Sequence, residues 1–458
     1  MNSTRRTFIK TSASTAIAVG FPSIVPSSVF GATAPSNRIS IGAIGAGRIS
    51  RGHDMPGVLQ FTGVAGRDNR IVAVCDLSAQ RVELGKQYVN DAYTKKLGTP
   101  YTGTRGYSDY KELLANKEID AVMISTPDHQ HARLAVAAIA AGKDVYLQKP
   151  ASLTIREGRV MADRVAASDR ILQVGSQQRS WKQFARAVEL VRNGRIGTVQ
   201  RVEIGLPGDP SGGNPQPMPV PEGFNYDAWL GSTPDVPYTV DRVMPLTGFD
   251  RPGWLRMEQF GAGMITGWGA HHVDTAHWGM DTELTGPVEI WGHADFPTEG
   301  LWNVHGPFKT YGRYDNGIVM TISGDFENGI RWIGDKGWIF VCRDGMTTPT
   351  STGAPTTPIV PLRASDPAIL DSVIGPAEYH VYTSDDQHGN WLDCIHSRKA
   401  PVAPAEVGHR ACSTCLLHWI AMKTDHHVYW DPKTEMIAGD DIAASLLSRH
   451  QRHPYEIA

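Results

Sequence analysis

From Arg38 to Gly175 the chain alternates short β-branched apolar runs with helical stretches, and few folds tolerate that order. "ISIGAI" runs into "GAGRIS", and "IVAVCD" into "SAQRVELGKQYV". "IDAVMIST" ends at "PDHQH" and an Ala-rich helix follows; "DVYLQKP", "TIREGRVMADRVAAS" and "ILQVGS" complete the series. Runs that are apolar throughout belong to strands buried on both faces. Joined by helices, they form a parallel sheet covered on both sides, an α/β domain. After Gly175 the texture changes. "PVEIWGHADF", "FKTYGRYDNGIVMTISGDF" and "GIRWIGDKGWIFV" alternate, and Asp315-Asn316-Gly317 is a hairpin turn. This half predicts an α+β domain with a large open, mainly antiparallel sheet. A Pro/Gly-rich insertion (207–252) and a looped stretch (346–382) interrupt it.

A chain of 458 residues is too long for one small core. The patterns divide it into an N-terminal segment 1–34, the α/β domain 35–175, the α+β domain 176–440, and a C-terminal helix and tail 441–458. Arg5-Arg6 ahead of Phe8 and Lys10, then a weakly apolar stretch, reads as a twin-arginine export signal. It implies a periplasmic or otherwise exported protein. That stretch is too short and too interrupted to span a membrane, and no later segment spans one. A net charge of −3 gives no electrostatic reason to expect nucleic acid. Five cysteines, an odd number, give no disulfide framework. Cys412-x-x-Cys415 stands alone on a helical pattern and reads as buried thiols, not a metal pair.

The chemistry-bearing residues sit where strands end. Gly45-x-Gly47-x-x-Ser50 follows the first strand, with Arg48 and Ile49 in the turn. The first Gly permits the tight turn. The second lets the backbone approach a pyrophosphate at the helix N-terminus, where unpaired N–H groups favour anions. Asp76 ends the second strand, where a carboxylate accepts the ribose hydroxyls of NAD and repels the 2′-phosphate of NADP. Its distance from Gly47 exceeds the usual ~20 residues. Ser125, Thr126, Pro127, His129 and His131 follow the third strand, and Gln148-Lys149-Pro150 the fourth. Ligands of open α/β sheets lie beyond these strand ends. Lys149, between an apolar strand end and a cofactor, can act as an acid or base.

"GAGMITGWGAHHVDTAHWGM", Gly261 to Met280, gathers three His and an Asp. On a helix His271 and Asp274 are neighbours, so the carboxylate can orient the imidazole. His277 and Trp278 read as packing. No H-E-x-x-H occurs, and no metal is expected.

These motifs together, with "FNYDAWLG" and the terminal "GHR" and "WDP", resemble the Gfo/Idh/MocA oxidoreductases from about Asn37 to the C-terminus. The resemblance implies a Rossmann domain followed by an open-sheet domain, NAD(P), and a sugar or glycoside oxidised at a ring hydroxyl. It implies catalytic roles for Lys149 and His271, with Asp274 as support. It points to substrate contacts from Arg179, Trp181, Tyr226, His271 and His272, with Trp229 a further candidate that core packing explains equally well. It also implies a homo-oligomer, because the open sheet often serves as a dimer face. Two departures stand out. The family's Glu-Lys-Pro is Gln148-Lys149-Pro150 here, and an expected acid is Gly267. Three functions follow: an oxidoreductase with tightly held cofactor, a redox-neutral NAD-dependent glycosidase, or a non-catalytic sugar-binding relative. Export favours a retained cofactor, because little soluble NAD is available outside the cytoplasm.

Overall fold

The structure, a computed structural model, describes residues 38–243, 252–343, 360–382 and 384–457. The segment read as an export signal lies outside them. Six strands form the first sheet: β1 Ile39–Ile44, β2 Asn69–Cys75, β3 Arg105–Tyr107, β4 Ala121–Ile124, β5 Asp144–Leu147 and β6 Leu172–Val174. Their order is β3-β2-β1-β4-β5-β6 and every pairing is parallel. β1 has one partly exposed residue, and β4, β5 and β6 have none, as their unbroken apolar runs require. The three-residue edge strand β3, "RGY", is too short and too polar to read from sequence. The order reverses between β1 and β4, which opens a crevice at their carboxyl ends.

The helices begin and end on local chemistry. Ser78 and Thr154 cap the helices Ala79–Leu97 and Ile155–Ala166 by accepting N–H bonds from Arg81 and Glu157. Gly98, left-handed at φ 71°, ends the first of them. The "PDHQH" residues do not prolong a strand. They form the first turn of the helix Asp128–Ala140.

Among the described residues the second sheet has nine strands: β7 Val199–Gly205, β8 Glu289–Ala294, β9 Phe308–Arg313, β10 Val319–Ser323, β11 Gly329–Gly334, β12 Trp338–Val341, β13 Leu362–Ala364, β14 Val428–Asp431 and β15 Met436–Ala438. Their order is β13-β12-β11-β7-β10-β9-β8-β14-β15. Only β7 with β10 is parallel, so the sheet is mixed and mainly antiparallel. β13 and a short helix, Pro367–Asp371, fall within the stretch expected to be looped. The helices Lys182–Arg192, Gly269–Met280 and Ala405–Thr424 pack against this sheet and one another. Cys412 and Cys415 are buried, as are the other three cysteines, and none of the five forms a disulfide.

The boundary at residue 175 misses a return of the chain. In the helix Gln387–Ser397, Trp391, Leu392, Cys394 and Ile395 join the core of the first domain beside Met55, Val58 and Tyr146. Ala403 then accepts a backbone bond from Val174, at the edge of β6. His409 also approaches the first domain: a Cβ at Gly158 would lie 2.5 Å from its Nδ1. His409 Nε2 meets Glu435 at 2.8 Å, and Arg159 of the first domain bridges Glu406 and Glu435. Burial alone would raise the Glu435 carboxyl, but the bonds from His409 and Arg159 outweigh it and hold it down to about 2. A carboxylate so depressed adds stability that is complete above its unfolded value, ~4.3, and is lost as pH falls below it. Urea midpoints for Glu435→Gln should therefore fall less steeply than wild type between pH 5 and 2.

Candidate active site

A cavity of about 960 Å³ occupies the crevice and runs between the two domains. At one end stands the glycine turn. Gly45 has φ 88°, and a Cβ there would lie 2.6 Å from the Ser125 carbonyl, so both conformation and space demand glycine. Ser50, in the third position, is buried, so a small side chain suffices at this helix contact. The Asp76 carboxylate accepts from Ala46 N at 2.9 Å and Ser78 N at 3.0 Å, which pins the turn to the end of β2. Arg48, Ile49, Asp76 and Arg81 line this end, with Ser108, Asp109 and Tyr110 beyond them.

Along the same cavity the domains meet. Lys149 Nζ donates to the Gly267 carbonyl at 2.8 Å. Where the resemblance leads one to expect an acid, the chain offers a backbone oxygen. Packing does not dictate this glycine, since a Cβ there would meet only the Met264 side chain, at 3.6 Å. His271 lines the same wall, with its Nδ1 buried and unbonded. Burial first, then the charges of Arg343 and Lys149, push its pKa well below the ordinary value, so the ring is neutral. Thr126, Pro127, His131, Gln148 and Trp181 also reach the cavity. Burial lowers His131 to about 4, so the ring is neutral and donates to only one of the two carbonyls it faces, Pro150 at 2.6 Å and Thr126 at 2.9 Å.

Four residues expected at the site are held elsewhere, and a fifth has a different partner. His129 turns away from the cavity: its Nε2 meets the Trp229 carbonyl at 2.7 Å and its ring packs on Trp229 and Phe260. Asp274 does not orient His271. It forms a two-pronged ion pair with Arg179, at 2.7 and 2.9 Å, with both side chains at most 3% exposed. Arg179 also holds Glu283 at 2.7 Å and lies over Trp278, so it is scaffold rather than a substrate contact. Burial would lower Arg179, but Asp274 and Glu283 outweigh it and keep it charged. Tyr226 belongs to the Phe224–Trp229–Tyr238 cluster and gives its hydroxyl proton to the Pro237 carbonyl. His272 is engaged on both nitrogens, with Asn328 at 2.7 Å and Gln178 at 3.3 Å. His277 meets the Tyr314 hydroxyl at 2.6 Å and is packing, as its position suggests. The i, i+3 spacing of His271 and Asp274 is real. A buried arginine from another helix claims the carboxylate first.

The sequence reading also missed residues that line the cavity. Asp128, three residues after Ser125, is 3% exposed; burial pushes its carboxyl up and the Lys149 charge opposes this. Arg343 lies with its guanidinium carbon 4.8 Å from the Trp268 ring and 5.3 Å from that of Trp181. Asp54 is fully buried, and its Oδ1 accepts from Gln148 Nε2 at 2.8 Å while Oδ2 accepts from Ser125 at 2.6 Å. The carboxylate missing at position 148 is therefore present beneath it, from another element. Motif spacing can expose Asp128 and Asp54; nothing in the sequence pairs Arg343 with two tryptophans. The chain's end matters too. Pro454 and Tyr455 form part of the cavity wall. Tyr455 donates to Asp227 at 2.6 Å, and Arg133 lies between the rings of Tyr455 and Tyr110, at 5.4 and 5.2 Å.

A switch-point crevice with a glycine turn is where open α/β sheets bind dinucleotides, and here a second domain brings His271 to its wall. Residues 39–176 match the Gfo/Idh/MocA family model described as "Oxidoreductase family, NAD-binding Rossmann fold". Inositol 2-dehydrogenase of Salmonella paratyphi B is 29% identical over 160 residues, which are 35% of this chain and 43% of that protein. A glycosyl hydrolase family 109 protein of Shewanella pealeana is 28% identical over 173 residues, 38% of this chain and 36% of that one. These matches span less than half the length of either relative. The WlbA dehydrogenase of Bordetella pertussis, solved with NADH and UDP-GlcNAcA, shares the fold across both domains. It gives a TM-score of 0.58 at 15% identity, covering 86% of this chain and 99% of that one. No described helix is long and apolar enough to cross a membrane.

Proposed function

We propose that this protein is an NAD-dependent oxidoreductase acting on a ring hydroxyl of a sugar or glycoside, with the cofactor held throughout the cycle. One observation carries the reading: Lys149 from the first domain and His271 from the second line the same cavity as the glycine turn. The residues present fit a dinucleotide. The Gly45 turn leaves no room for a side chain, and the Thr126 hydroxyl is buried and unpaired beside it. Asp76 favours NAD over NADP by repelling a 2′-phosphate. When bound, the nicotinamide supplies a hydride acceptor. The chain's own residues do the rest. Lys149 sets a positive charge beside the carbinol oxygen as its proton leaves. Neutral His271 offers a hydrogen bond to a neighbouring hydroxyl, and Trp181 and Trp268 present faces on which a sugar ring can lie.

Retention is supported by the C-terminal tail. Arg452 bonds the Gly231 carbonyl at 3.1 Å and the Asp227 carbonyl at 2.9 Å, which holds Tyr455 against the wall near Tyr110. With export by the twin-arginine route, a retained cofactor needs the hydride returned. The partial similarity to a glycosyl hydrolase family 109 protein supports a second reading, a redox-neutral NAD-dependent glycosidase. The Lys149–His271 arrangement argues against a non-catalytic sugar-binding relative. We extend the proposal to a homo-oligomer through the open sheet, where Trp291 and Tyr311 stack 5.3 Å apart.

The test begins with exported protein, denatured to look for nicotinamide absorbance. Aryl glycosides, levoglucosan and myo-inositol are then supplied with and without NAD. A ketosugar with matching NADH supports the dehydrogenase, and aglycone without net NADH supports the glycosidase. Protein that neither carries nor binds nicotinamide overturns both. Deleting residues 450–458 should weaken nicotinamide retention at least tenfold, read by equilibrium dialysis.

A further inference from the structure

We propose that His53, held by Asp54, is the base that takes the substrate hydroxyl proton. This assignment rests on the oxidoreductase reading above and deepens it. His53 lies three residues past Ser50, on the helical segment that leaves the glycine turn, and its ring lines the cavity. Its side chain is 46% exposed, whereas Asp54 beside it is 0% exposed. His53 Nδ1 meets Asp54 Oδ1 at 2.9 Å. The same carboxylate receives Ser125, Gln148 and, at 3.3 Å, Nε2 of His388. His388 comes from the C-terminal helix that returns to the first domain, and its ring stacks on Tyr146.

The tautomer follows from these contacts. Burial would raise Asp54, but bonds from His388 and His53 outweigh it and hold the carboxyl well below the ordinary range. An ionised carboxylate only accepts, so Nδ1 of His53 carries the hydrogen. That leaves the lone pair on Nε2, the nitrogen with no partner among the described residues. A histidine with one nitrogen anchored on a buried carboxylate and the other open to a ligand cavity is built to accept a proton, and Asp54 stabilises the imidazolium that results.

The other groups on the wall are less suited. His271 is buried among like charges and resists protonation, and His53 is near enough to contribute to that effect. Lys149 is engaged as a donor to Gly267. Both nitrogens of His131 face backbone carbonyls, those of Pro150 and Thr126. In the step proposed, the substrate O–H bond breaks and its proton moves to His53 Nε2. The carbon–oxygen double bond forms as the C–H electron pair leaves with hydride to the oxidised nicotinamide. The acid absent at Gly267 is thus replaced by a carboxylate in the other domain, acting behind a histidine.

The experiment uses the full chain, loaded with NAD, and whichever of myo-inositol or levoglucosan wild type oxidises. His53→Ala should retain nicotinamide binding and lose about 10²- to 10³-fold in the single-turnover rate, the range for a positioned base. Millimolar imidazole should restore part of that rate in His53→Ala and leave wild type unaffected. Independently of turnover, 15N-histidine spectra should show His53 as the Nδ1–H tautomer, and His53→Gln gives its assignment. Full activity in His53→Ala, loss without imidazole rescue, or an Nε2–H tautomer each overturns the assignment. One equivalent of bound divalent metal, lost in His53→Ala, would do so as well, because imidazole and carboxylate would then be ligands. Absence of hydride transfer in wild type removes the oxidoreductase reading and this assignment with it.

Discussion

Lys149→Ala should bind nicotinamide as wild type does and transfer hydride about 10³-fold more slowly, within the range of a lost charge or acid–base group at a reacting oxygen. The side chain reaches across the domain boundary to the Gly267 carbonyl, so its loss also removes one tie between the domains. Stopped-flow absorbance of the nicotinamide separates the two effects. A change in the hydride step with unchanged cofactor affinity separates Lys149 from the glycine turn and Asp76, whose expected role is to hold the cofactor. Full activity in this variant would remove Lys149 from the mechanism.

Arg179→Met should destabilise the fold by about 3–5 kcal/mol, the cost of leaving one partner of a buried pair charged and alone. Asp274 is 1% exposed and would lose both of its bonds from the guanidinium. Burial already pushes its carboxyl up, and without Arg179 only the bond from Ser176 opposes that push. The variant should gain stability as pH falls and Asp274 takes up a proton, and replacing both partners by apolar residues should recover much of the loss. Chemical denaturation against pH measures this. A stable Arg179→Met with weakened sugar binding would instead restore Arg179 to the substrate site.

The two domains were legible because their strands obey different burial rules. β4 and β5 are covered on both faces and read as continuous apolar runs, whereas β8 and β9 alternate because only one face is covered. The glycine turn was legible for a local reason, since Gly45 needs its conformation wherever the chain goes afterwards. The weakest readings concerned histidines. His129, His131 and His272 share the composition of a site, yet each is buried and bonded, and only what surrounds a ring separates a brace from a ligand contact.

The sequence by itself determined the parallel and antiparallel halves and the glycine turn, and it named Lys149 and His271, which both line the cavity. Periodicity and turn chemistry are properties of neighbours along the chain, so they survive without coordinates. Tertiary structure alone decided which charges meet. It gave Asp274 to Arg179 and Lys149 to a carbonyl. It also brought His388, more than 300 positions away in sequence, to the carboxylate that anchors His53. A buried charge takes whichever partner lies within a few ångströms, and no spacing rule reports that distance in advance.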